Sequence, residues 1–150
     1  MRRVRSNDGA SAVEFAIVLP LLVMFLFGII VFGMAYVRSQ GMEAAAREGG
    51  RVAAVAWHHH DSEGAAEAEV DAAVRDAVLP LVNSSHLEVD VEVDGGGGDW
   101  CEERGDRVRV TTRIASQHLS DYELVIPLWP GGVQPDYESF GVFRCEAGRD

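Results

Sequence analysis

The sequence predicts an α+β protein: a long amino-terminal transmembrane helix, a second, amphipathic helix, and a small antiparallel β-sheet head. Three observations carry this. Ala16–Val37 runs for 22 residues without a charge or a strongly polar group. Val70, Val74, Val78 and Leu81 recur at helical spacing, with Glu69, Arg75 and Asp76 on the opposite side. Leu87–Asp94 and Arg107–Ile114 each alternate strictly, which is the period of a strand with one covered face.

As a helix at about 1.5 Å per residue, the apolar run reaches about 33 Å, enough to cross a hydrocarbon core of about 30 Å. A soluble core helix of this length would carry a polar face, and this one has none. Pro20 falls early in the span, where neighbours or water satisfy the freed carbonyl. Ala12 and Ala16 form a small-xxx-small pair that permits close helix approach. The run is too long for the apolar core of a cleaved secretory signal, and no small-x-small site closes it before Arg38. One acid, Glu14, stands just ahead of it. An ionised side chain costs about 2.5–3.5 kcal/mol at the bilayer centre and less near an interface, so Glu14 asks for a partner.

Charge is distributed unevenly. Arg2, Arg3 and Arg5 precede the span, whereas from Ser39 onward 22 acids face nine arginines, near −13. Positive residues before a first span place the amino terminus in the cytoplasm and the rest outside. An exterior this acidic argues against nucleic acid as a partner. All 13 basic residues are arginine, which bears on coding bias rather than function. Cys101 and Cys145 would lie in an oxidising compartment, where they either pair or remain as two thiols.

The amino-terminal string reads Gly9, then Ala10-Ser11-Ala12-Val13-Glu14-Phe15: a short basic leader, a glycine, then Glu at the fifth and Phe at the sixth position. With GASAVEFAIVLPLLVMFLFGIIVFG, Tyr36 and AAAREGGRVAA, it resembles the TadE-like family, minor pilins or pseudopilins of tight-adherence (Tad) pilus systems. The resemblance covers residues 9–54 closely and the remainder in layout. It implies cleavage after Gly9 by a membrane-embedded prepilin peptidase, leaving Ala10 as the new amino terminus. Glu14, one helical turn into the processed segment and followed by Phe15, would then meet the new α-amine of a neighbouring subunit. That pair would remove an unpaired anion and an unpaired cation near lipid together. The alternative is that Glu14 sits at headgroup level and snorkels alone. The implied partners are the lipid bilayer, the prepilin peptidase and other pilin or Tad assembly subunits. The implied location is the plasma membrane, single-pass. The region outside the span is much longer than in the small major pilins of such systems, so a filament-building role does not follow.

Four segments are expected: a basic leader over 1–9, the transmembrane helix over 10–37, its continuation over 38–57, and an acidic α+β domain over 58–150. Ser39–Trp57 is rich in alanine, and Glu43 precedes Arg47 by four. Gly41, Gly49 and Gly50 oppose helix; the Gly49-Gly50 pair marks either close packing or a break. His58-His59-His60-Asp61 reads as a loop, because three adjacent histidines cannot face one ion from a regular element and no second cluster stands at ligand spacing.

The second helix is expected from Ser62, as N-cap, to Leu79, with Glu63 and Glu67 near its dipole's positive end and Pro80 stopping it. Its apolar face is expected against the sheet. The two alternating strands are expected to pair antiparallel, an acidic row facing an arginine row. Between them, GGGGDWCEERG makes a flexible loop that a Cys101–Cys145 bond would pin, contributing on the order of 3–4 kcal/mol. Further strands are expected over Tyr122–Leu128 and Ser139–Cys145. Trp129-Pro130-Gly131-Gly132 reads as a turn or, less directly, as an exposed apolar loop for subunit contact.

No phosphate-binding glycine loop is present, since GGGG lacks the following Lys and Ser/Thr, and no Gly-x-Ser-x-Gly elbow surrounds Ser84 and Ser85. The expectation is no enzyme, no cofactor and no metal. Two other readings compete with the pilin-like one. An unprocessed single-pass anchor could display a small extracytoplasmic binding module. A hydrolase or metal-binding protein could use His58–His60.

Overall fold

The computed structural model describes residues 8–56, 60, 62–78, 80, 82–94, 105–125 and 131–146. Its first element, α1 (Asp8–Ala56), is a single helix of 49 residues, about 73 Å long. Pro20, Gly28, Gly33 and Gly41 all lie inside it without interrupting it. Two regimes divide it. Up to Val37 its apolar side chains stand exposed, with Phe25 at 68% and Ile29 at 69%. From Gly41 onward one face is buried: Met42, Ala45, Ala46, Ala53, Ala54 and Ala56. These positions recur at helical spacing, and their small side chains let other elements approach the backbone closely.

Those elements are α2 (Glu63–Ala77) and a sheet of β1 (Leu87–Asp94), β2 (Arg107–Ile114) and β3 (Glu138–Arg144), in the order β1-β2-β3 with antiparallel neighbours. The two alternating segments form strands with the expected bounds, paired antiparallel as expected. Glu88 stands opposite Arg113, Glu92 opposite Arg109 and Asp94 opposite Arg107. Arg113 reaches Glu88 at 2.7 Å and Arg107 reaches Asp94 at 3.4 Å. The hydrogen bond to Glu88 raises the Arg113 pKa, with smaller contributions from the charges of Glu88, Asp90 and Glu138. Arg109 instead lies over the Phe140 ring, 5.3 Å from its centroid.

Inner-face residues Leu87, Val108, Val110 and Ile114 join Val70, Val74 and the α1 alanines in the core. Gly49-Gly50 marks close packing: a Cβ at Gly49 would overlap Val74, and one at Gly50 would lie 2.5 Å from Cδ2 of Phe143. From the other side, a Cβ at Gly141 would lie 2.5 Å from the Ala46 carbonyl oxygen. Thr112 is fully buried, its hydroxyl within 3.4 Å of the Met42 carbonyl and 3.3 Å of the Ser139 carbonyl.

Several expectations need correction. The α2 helix ends at Ala77 rather than Leu79, with Val78 extended ahead of Leu79-Pro80. Ser62 holds the N-cap position but its side chain makes no cap bond; its carbonyl accepts from Ala65 and Ala66. The apolar face of α2 packs chiefly on α1, with lesser contact to β1. Arg75, placed opposite the apolar face, clamps α2 to the start of β1. It takes both Asp71 oxygens at 2.6 and 2.8 Å and donates to the Ser84 and Leu87 carbonyls. That Asp71 hydrogen bond raises the Arg75 pKa.

Over Tyr122–Val125 no strand forms, and Ile126, Pro127 and Leu128 of the expected strand lie outside the described residues. Ser116–Tyr122 is a 3₁₀ helix, and among the described residues beyond it the pairing reduces to one bridge, Leu124 with Val133. The reason is Tyr122: its ring is buried, and its hydroxyl accepts from the Asn83 amide at 3.0 Å and meets His86 Nδ1 at 3.1 Å. The last strand starts and stops one residue earlier than expected, and Cys145 continues it by donating to the Asp106 carbonyl at 2.8 Å. Within the expected turn, Gly131 has φ +102°; Trp129 and Pro130 lie outside the described residues, as do His58, His59, Asp61, Leu81 and the glycine loop.

Candidate functional site

Gly9, Ala10, Glu14 and Phe15 all lie on the first two turns of α1 and are all exposed. Ala10 and Glu14 are four residues apart, so the Glu14 side chain and the Ala10 backbone share one helix face. No other part of the described chain covers this segment; the apolar stretch is wholly unburied. Gly9 is informative here, because a Cβ added to it would meet nothing within 4 Å. Packing among the described residues therefore does not require a glycine at position 9, in contrast to Gly49, Gly50 and Gly141.

Among the described residues, one helix, Gly9–Ala56, is long and apolar enough to span a bilayer. Residues 9–51 match the TadE-like protein family. The match covers less than a third of the chain: the exposed part of α1 and most of its buried continuation. Over that segment the chain is similar to TadE-like proteins, and the same segment holds the helix long and apolar enough to cross a membrane. No curated protein and no solved structure matches the chain.

Cys145 is buried and is not a free thiol. Cys101 lies outside the described residues, so its pairing with Cys145 is part of the proposal below. His60, the one described histidine of the tract, lies 2.6 Å from Glu69 on α2.

Two features of the head escaped sequence reasoning. The Arg38 guanidinium, at the end of the apolar span, sits over the Tyr122 ring, 5.3 Å from its centroid. It thereby ties the 3₁₀ helix to the point where α1 leaves the span. Beside Tyr122, His86 from a 3₁₀ turn (Ser84–His86) stacks on His118, with ring centroids 3.7 Å apart and planes within 1°. Asp121 lies next to both. The His118/Asp121 spacing of three was visible in the sequence, but His86 is 32 residues away from His118 and nothing local announces it.

Proposed function

We propose that this protein is a minor pilin-like subunit of a Tad-type pilus, processed after Gly9, which acts in assembly for adhesion or secretion. The observation that carries the reading is the combination at the start of α1: an exposed Gly9 with no packing role, an exposed Glu14 one turn beyond it, and a bare apolar helix behind. The leader 1–9 is removed, residues 10–37 cross the plasma membrane, and 38–57 carry the acidic domain 58–150 on the outer side.

Chemically, the cut creates an α-amine at Ala10. Glu14 of a neighbouring subunit neutralises it, and the charge pair fixes the axial register of adjacent helices at low dielectric, where an unpaired charge is costly. Phe15 packs beside that pair. The head is read as a structural module, its helix and strands tied by the Glu88–Arg113, Asp94–Arg107 and Asp71–Arg75 contacts. In the outer compartment Cys101 pairs with Cys145, holding the glycine loop to the end of β3.

Two variants test the reading in cells carrying the prepilin peptidase. Gly9→Ala is expected to abolish cleavage, leaving the precursor mass. Glu14→Ala is expected to leave cleavage largely intact while impairing pilus assembly. Normal assembly in the second variant would remove the pairing role.

A further inference from the structure

We propose that His86, His118 and Asp121 form a binding site for a borderline divalent cation, zinc above all, at the end of the head beside Arg38. This is independent of whether Gly9 is processed. In a 3₁₀ helix residues i and i+3 lie on one face, so His118 and Asp121 point the same way from Ser116–Tyr122. The Ser84–His86 turn brings His86 to that face. His118 Nδ1 lies 3.5 Å and His86 Nδ1 3.8 Å from Asp121 Oδ2, and one ligand atom from each of the three residues lies within 4.8 Å of the others.

These separations are longer than good hydrogen bonds. They approach the roughly 3.4 Å between donors around a tetrahedral ion with bonds of about 2.0–2.2 Å. Two imidazoles and one carboxylate suit zinc, whereas calcium and magnesium prefer oxygen donors alone. Ring lone pairs lie in the ring plane, so capture requires the stacked imidazoles to turn until both planes meet at the ion. His118 and Asp121 are 31% and 56% exposed, so turning them breaks the His86–His118 stack without opening the core; His86 exchanges its contact with the Tyr122 hydroxyl for the metal. The Gln117 carboxamide nitrogen lies 3.3 Å from His118 Nε2; turned over, its oxygen would accept from the Nε2–H of a His118 ligating through Nδ1, as the outer partner of a ligating histidine does. The consequence is mechanical. A bound ion would staple the turn ahead of β1 to the helix after β2, next to the Arg38–Tyr122 contact where α1 leaves its apolar stretch.

The test is a zinc titration of the full chain in detergent micelles against a chromophoric chelator, read together with imidazole nitrogen NMR shifts. One equivalent is expected, shifting the His86 and His118 ring nitrogens. Asp121→Asn, an isosteric change at an exposed position that leaves the fold intact, is expected to weaken binding about tenfold or more; His118→Ala is expected to do the same. Replacing His58, His59 and His60 together by alanine should leave the equivalent in place. No binding, binding unaffected by Asp121→Asn, or binding lost with the His58–His60 replacement would each overturn the proposal.

Discussion

The two halves of α1 use the same residue types for opposite ends. Before Arg38, large apolar side chains stand out from the helix, and Gly28 and Gly33 have open space where a Cβ would be. After Arg38, the inward residues are Met42 and a row of alanines, Arg47 and Arg51 point outward, and Gly49 and Gly50 are pressed under Val74 and Phe143. The first half has no core of its own and awaits lipid or a neighbour. The second is the central post of the head. A glycine is therefore no guide to its own role: what approaches it decides.

That contrast can be broken most sharply at Gly141. Its would-be Cβ faces the α1 backbone at Ala46, which cannot step aside like a side-chain tip. Gly141→Ala is expected to destabilise the head by about 3 kcal/mol, measured by urea unfolding of the full chain in detergent with near-ultraviolet circular dichroism. Gly49→Ala meets the Val74 and Val110 side chains, which can shift, so a loss of about 2 kcal/mol is expected in the same assay. Arg75→Ala removes the clamp from α2 to the β1 entrance and should cost about 1.5 kcal/mol. Gly28→Ala should leave head stability within about 0.5 kcal/mol of the parent. A large loss there would mean that the exposed half of α1 is coupled to the head after all.

Legibility in the sequence followed the same division. Strands β1 and β2 were readable to the residue because a one-residue slip would turn every valine to solvent. The long helix was readable from its unbroken apolar run, and the Gly9 to Phe15 string from its pattern. The meaning of Gly49-Gly50 was not, since a break and a close contact look alike until Val74 and Phe143 are placed above them. The segment Ser116–Tyr122 has no apolar period, and what shapes it is long-range: a buried tyrosine held by Asn83 and His86. The clamp made by Arg75 was not readable, because its carbonyl partners, Ser84 and Leu87, lie nine and twelve residues further on.

The central claim is that the bare half of α1 is delivered to its partners by removal of the leader. Intact-mass and amino-terminal peptide measurement on the protein purified from membranes with an active prepilin peptidase tests it directly. The account predicts a chain beginning at Ala10. A chain that still carries Arg2, Arg3 and Arg5 ahead of Gly9 would contradict it.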